Sequence, residues 1–88
     1  MARLKQPKVV VKKLGKEKAW GQYIQETNTI EVDERLSGKL KLEIYCHEYL
    51  HHLYKDMSEE SVYRSAKYLS DFLWKHHVRF VDNKNTED

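Results

Sequence analysis

The chain has 88 residues, of which 34% are charged and 40% hydrophobic, and its formal net charge is +2 with neutral histidines. These values are typical of one small globular domain. A membrane-spanning protein is not expected, because no apolar run approaches the roughly 20 residues that cross a bilayer. The first residues lack the apolar stretch of a secretory signal, and the single Cys46 cannot form an internal disulfide, so a cytoplasmic location is expected.

The first half of the chain has the pattern of β-strands. A β-branched run covers residues 8–12, strand-forming residues follow at 20–25, and residues 29–33 alternate with Ile30 and Val32 on one side. Thr27 and Asn28 predict a tight turn between the last two strands. The sequence therefore predicts a small antiparallel sheet of about three strands with a hairpin at Asn28.

The second half predicts two helices. The first covers about residues 38–55, and its His47 and His51 lie within a mainly apolar face, close to the polar border. Its other side and back carry Lys41, Tyr45, Glu48, Tyr49, His52 and Lys55. Ser58 is the expected N-cap of the second helix. That helix has an apolar stripe, which also includes His76, formed by Val62, Ala66, Leu69, Leu73 and Phe80.

The expected fold is therefore one α+β domain over residues 1–88, in which a small antiparallel sheet precedes two antiparallel helices. Residues 1–7 and 82–88 are expected to be flexible tails. Basic residues cluster before Trp20, namely Arg3, Lys5, Lys8, Lys12, Lys13, Lys16 and Lys18. A solvated basic segment is the favoured interpretation, since the net charge is too small to predict nucleic-acid binding by itself.

The strongest chemical signal is the His-Glu-x-x-His motif at residues 47–51. Histidines at i and i+4 lie one helical turn apart, so two imidazole nitrogens can converge on one Zn²⁺ ion. Glu48 lies beside them, where its carboxylate can accept a proton from a water that the metal activates at a pH of about 7. The alternative is that both histidines are hydrogen-bonded core or surface residues.

A catalytic zinc site needs a third protein ligand and an open fourth position. Glu59 is the preferred candidate because it borders the apolar stripe of the second helix, whereas Glu60 points further towards solvent. Both glutamates also suit the first turn of a helix electrostatically, so Glu60 or another residue stays open as the third ligand. Tyr54 and Tyr63 are candidate donors to the oxyanion of peptide hydrolysis, although aromatic packing is favoured for each.

Other metal-binding side chains are weaker candidates. His52 faces away from the histidine pair, and Cys46 fits a small core residue better than a ligand. His76 and His77 lie about 25 Å along a straight helix from Glu59, at about 1.5 Å per residue.

Several features in this order resemble the ImmA/IrrE-type metallopeptidase family, in particular its short phage and prophage members. They are a Gly-containing strand at residues 21–24, a second strand at 29–33, the metal motif, and a helix that opens with a glutamate at 58–69. The resemblance implies a compact zincin core with Zn²⁺ held by His47, His51 and Glu59, and Glu48 as catalytic base. It also implies that residues 29–33 form the edge strand that holds a substrate.

Larger relatives cleave or regulate transcriptional repressors, which makes a transcriptional regulator the expected substrate class. The chain departs from the family pattern in the short spacing from His51 to Glu59 and in lacking an N-terminal helix. The function expected from the sequence is a zinc metallopeptidase acting on a protein or peptide substrate. One alternative is a catalytically silent, zinc-stabilised protein-binding module. A second is a nucleic-acid-associated protein that uses the basic N-terminal segment.

Overall fold

A computed structural model of the chain describes residues 5–15 and 20–81. Within these ranges, three strands are followed by two helices, which confirms the predicted α+β class and element order. The elements are β1 (Lys8–Lys12), β2 (Gly21–Ile24), β3 (Thr29–Asp33), α1 (Gly38–Leu53) and α2 (Glu59–Lys75), with a 3₁₀ turn at Gln25–Thr27. None of the described helices is long and apolar enough to cross a membrane.

The sheet is mixed, with strand order β1-β3-β2. The predicted hairpin is present, since β2 and β3 pair antiparallel, but β1 pairs with β3 in parallel, so the prediction of a purely antiparallel sheet was wrong. Residues 13–28 connect β1 to β3, and this connection meets the length of a dozen or more residues that parallel pairing requires. As a result, β3 is the central strand and β2 is an edge strand.

The hairpin turn depends on Asn28. This residue adopts the left-handed conformation (φ 50°, ψ 51°), which asparagine tolerates better than most residues. Its side-chain amide donates to the carbonyl oxygens of Lys5 and Gln6, both at 3.3 Å, and so holds part of the predicted N-terminal tail against the turn. The remaining tail residues, 1–4 and 82–88, lie outside the described residues, as do Lys16 and Lys18.

Helix α1 lies between α2 and the sheet and therefore has two buried faces. Leu42 and Cys46 pack against Ala66 of α2, which confirms Cys46 as a small core residue. The opposite face packs Tyr45 and Tyr49 against β3. The prediction that this second face is the polar side of the helix was wrong, because a helix packed on both sides buries polar and aromatic side chains as well as aliphatic ones.

Helix α2 begins as predicted, because the Ser58 hydroxyl accepts a hydrogen bond from the Ser61 amide at 3.1 Å. An ion pair joins Lys39 near the start of α1 to Asp71 late in α2, so the helices are antiparallel. The helix ends earlier than the apolar stripe suggested. His77 has a left-handed backbone (φ 69°), a conformation that ends helices. His76 and Phe80 therefore lie outside α2, and the Phe80 ring packs on Tyr45 instead.

Candidate metal centre

Two histidines of α1 form one side of the candidate centre. His47 and His51 are one turn apart on the same helix, and their ring centroids are 5.0 Å apart. Their side chains are 18% and 23% exposed, so both imidazoles are shielded by protein yet still reachable from solvent. This half-buried setting is what a ligand pair requires if a metal and a substrate are both to enter.

Glu59 of α2 completes a cluster of three potential ligands. Its Oε1 lies 3.4 Å from Nε2 of His47, and its Oε2 lies 3.1 Å from Nε2 of His51. The short turn after α1 and the Ser58 cap make Glu59 the first residue of α2, directly opposite the end of α1. The short spacing in the sequence therefore suffices to bring this carboxylate to the histidines.

The alternative third ligand does not approach the pair. Glu60 is 83% exposed on the outer side of α2, and its carboxylate pairs with Arg64 at 3.3 Å. Among the described residues, one cluster of at least three potential ligands is present. It consists of His47, His51 and Glu59, whose ligand atoms lie within 4.8 Å of one another. Two imidazoles and one carboxylate are also the protein ligands of a class of catalytic zinc sites.

The protonation of His47 suits a ligand. Burial lowers the pKa of this imidazole, the neighbouring His51 lowers it further, and Glu59 opposes both effects. A histidine must be neutral to donate its nitrogen lone pair to a metal. Burial of the ring therefore favours the form that can bind a cation, and Glu59 supplies the negative charge that a cation at this position would need.

Glu48 lines a cavity together with His47, His51 and Glu59, and it is 7% exposed. Burial, and secondarily the negative charge of Glu59, raise the pKa of its carboxyl group to about 7. Among the described residues, no hydrogen bond to the carboxyl group contributes to this shift, so nothing offsets the burial. A carboxyl group with a pKa near neutrality can both accept and release a proton at neutral pH, as an acid–base catalyst must.

Gly21 of β2 allows α1 to approach the sheet at this point. A Cβ atom at Gly21 would lie 2.8 Å from Cγ2 of Ile44, 3.0 Å from the carbonyl oxygen of Glu31 and 3.4 Å from Cγ of Glu48. The first distance is too short for a larger residue unless Ile44 moves, and the second would press the new atom against the main chain of β3. A glycine within a strand pattern is the sequence signal that could have predicted this close approach.

The cavity in front of these residues has a volume of about 600 Å³. Besides His47, Glu48, His51 and Glu59, it is lined by Gly21, Gln22, Tyr23, Gln25 and Lys55. The strand beside it is therefore β2, an edge strand of the sheet. The expectation that residues 29–33 form the edge strand was wrong, because β3 is paired on both sides.

Tyr23 and Lys55 are cavity residues that the sequence analysis did not identify. The Tyr23 hydroxyl donates to Oδ1 of Asn28 at 2.7 Å, lies 3.2 Å from Nδ1 of His52, and is 3.5 Å from Nζ of Lys55. Because Asn28 already takes the hydroxyl proton, His52 is expected to donate from Nδ1. His52 is 3% exposed and sits on the sheet side, as expected for a residue that does not share the metal.

The tyrosines considered as oxyanion donors lie elsewhere. Tyr54 is 52% exposed and Tyr63 is 57% exposed, and neither lines the cavity. The cavity is lined instead by the side chains of Tyr23 and Lys55. No protein-family model, curated protein or solved structure matches the chain. The resemblance to ImmA/IrrE-type metallopeptidases therefore stays a prediction from the order and spacing of the motifs.

Proposed function

We propose that this chain is a minimal zincin, a Zn²⁺-dependent peptidase that hydrolyses a peptide bond in a protein substrate. The observation that carries the proposal is the convergence of His47, His51 and Glu59 above a buried Glu48 in one open cavity. Each group alone has an ordinary structural explanation. Metal-dependent hydrolysis requires the groups to act together. Here a carboxylate of the second helix lies against both histidines of the motif, and a glutamate with a pKa near 7 lies beside them.

The roles of the residues follow from their positions. His47, His51 and Glu59 would hold Zn²⁺, which when bound supplies a Lewis acid that makes water nucleophilic near neutral pH. Glu48 would remove a proton from the attacking water and then deliver it to the departing amine nitrogen. The pKa of about 7 for Glu48 supports both steps, because neither protonation state is strongly disfavoured at neutral pH.

The substrate would bind along β2. One side of this strand is paired with β3, and its other side, beside the cavity, pairs with no strand in residues 5–15 or 20–81. An extended peptide could therefore add to it through main-chain hydrogen bonds. Lys55, just beyond the end of α1, would then be the donor available to the carbonyl group under attack, because the Tyr23 hydroxyl already donates to Asn28. We also propose that the substrate is a transcriptional regulator and that the protein is cytoplasmic. Both of these parts of the proposal rest on the sequence.

Metal content is the first test. Elemental analysis of purified wild-type protein should give about one zinc per chain, and both His47→Ala and Glu59→Ala should lose it. Glu60→Ala is the matched control, since this neighbouring glutamate is exposed and pairs with Arg64. Absence of zinc from the wild type, even after addition of Zn²⁺, would refute the site. Retention of zinc by Glu59→Ala alone would refute the third ligand.

Activity is the second test, and it separates an enzyme from a zinc-stabilised binding module. Zinc-loaded wild-type protein should cleave members of a quenched fluorescent peptide library. Glu48→Gln should keep zinc and reduce the rate by a factor of roughly 10²–10⁴, the usual contribution of a general acid–base group. Glu60→Gln serves as the control. Full zinc occupancy with no cleavage by any of the three proteins would favour the binding module.

A further inference from the structure

The second open edge of the sheet, β1, lies away from the metal cavity and has its own geometry. The main chain of β1 reaches β3 through the Lys8 amide, which donates to Asn28 at 3.0 Å, and through the Lys12 carbonyl, which accepts from Glu34 at 2.9 Å. In a parallel ladder, alternate residues direct both main-chain groups to the same neighbour. Val9 and Val11 therefore direct their N–H and C=O groups outward, away from β3.

The side chains of Val9 and Val11 are also exposed, by 42% and 54%. Their partners in register are Ile30 and Val32, which are buried, so both valines lie on the helix-facing side of the sheet. The helices leave this part of the face open. A groove of about 420 Å³ lies there, lined by Val9 and Ile30 of the sheet, Tyr45, Tyr49 and Leu53 of α1, and Leu69 of α2.

The opposite face of β1 carries Lys8, Val10 and Lys12, so two cationic side chains flank one apolar side chain there. Lys8 and Lys12 alternate with the two valines and so lie on the other face of the strand, and both are exposed. Lys12 contacts Glu31 at 3.2 Å, whereas Lys8 makes no ion pair within the described residues. One edge thus offers three kinds of recognition together: main-chain groups that no described strand pairs with, an apolar groove on one face and positive charge on the other.

We propose that β1 is a docking edge for an extended segment of another protein in which apolar and acidic residues alternate. Added as a further strand, such a segment would exchange hydrogen bonds with Val9 and Val11. Its apolar side chains would enter the groove, and its acidic side chains would lie beside Lys8 and Lys12 on the other face. The register of the added strand, and the face that it turns towards the groove, would both be fixed, because a shift by one residue would place the acidic side chains in the groove.

Charge argues against a second copy of this chain as the occupant. A two-fold axis pairs identical strands antiparallel, and a pairing centred on Val10 would place Lys8 of each copy opposite Lys12 of the other. Like charges directly opposite one another destabilise a strand pair. Lysines on an edge strand also disfavour pairing with arbitrary strands of other proteins. An acidic partner is therefore the one that β1 favours.

Two short capped peptides serve as probes, one with alternating valine and glutamate and one with alternating valine and lysine. Binding to the full chain is measured by fluorescence anisotropy at low salt, and the contact site is located by NMR amide shifts. We expect the glutamate peptide to bind at least about tenfold more tightly than the lysine peptide, since its charges complement those of β1. The largest shifts should fall on Val9 and Val11 and on the groove.

Val11→Pro removes one outward N–H group, and an edge strand tolerates proline where no ladder hydrogen bond is lost. It should weaken binding of the glutamate peptide by roughly tenfold. Lys8→Glu tests the charge independently and remains informative if the proline variant does not fold. It should weaken the glutamate peptide and strengthen the lysine peptide.

Several results would overturn the proposal. They are equal binding of the two peptides, no saturable binding of either, shifts confined to the metal cavity, or unchanged affinity in a folded Val11→Pro protein. Dimer formation through β1 at rising protein concentration would replace the acidic partner with a second copy and would equally refute the proposal.

Discussion

Replacing Glu48 by glutamine is expected to stabilise the metal-free protein at slightly alkaline pH. Glu48 is 7% exposed, and among the described residues no hydrogen bond contributes to the pKa shift of its carboxyl group. Glutamine has nearly the same shape but never carries the charge. The variant therefore removes the free-energy cost of a buried carboxylate while leaving the packing of α1 against β2 in place.

The sign follows from the two pKa values. The carboxyl pKa is about 4.5 in the unfolded chain and about 7 in the folded protein. Between these values the folded protein holds a proton that the unfolded chain has released, so the free energy of unfolding decreases as pH rises through this window. The full loss above pH 7 is at most about 3 kcal/mol. We expect about 2 kcal/mol, because water in the open cavity screens part of the charge.

The assay is urea unfolding in the presence of a chelator at about pH 5 and about pH 8, for the wild type and for Glu48→Gln. Only the difference between the two proteins is interpreted, because His47 contributes a pH dependence of opposite sign to both. The difference should be small at the lower pH and about 2 kcal/mol in favour of the variant at the higher pH. Glu60→Gln, with its exposed side chain, should match the wild type at both. If the free energy of unfolding changed equally with pH in the wild type and in Glu48→Gln, the reasoning would be refuted.

Three further outcomes are expected. Gly21→Ala should destabilise the fold by roughly 1–3 kcal/mol, because the new Cβ atom meets Ile44 at 2.8 Å. Gly15→Ala is the control, because its new Cβ atom meets nothing within 4 Å, and it should change stability by less than about 0.5 kcal/mol. Equal destabilisation of the two variants in urea unfolding would contradict the close approach of α1 to β2 at Gly21. Ser58→Ala should cost about 1 kcal/mol through loss of the α2 cap, measured in the same way, and a value near zero would show that the cap is dispensable. Zinc affinity, measured by competition with a fluorescent chelator, should fall below about pH 6 as the ligand histidines gain protons, and a flat profile would argue against histidine ligands such as His47.

The features that the sequence predicted correctly are governed by interactions between residues close in the chain. Strand propensity and the turn at Asn28 produced the hairpin, and Ser58 marked the start of α2. The spacing of His47 and His51 on one helix also follows from helical geometry alone. The position of Glu59 could also be predicted, because a short turn between antiparallel helices brings the first residue of α2 to the last turns of α1.

Strand order and burial were determined only by the tertiary structure. Whether β1 joins β3 or β2, and in which direction, depends on contacts between residues far apart in the chain, which no local pattern encodes. That choice made β2 the edge strand at the cavity and left β1 open on the other side. It also placed α1 between two layers, which buried Glu48 and raised its pKa. The motif thus determined which residues could perform the chemistry, whereas packing of the sheet against α1 determined their protonation and the strand beside them.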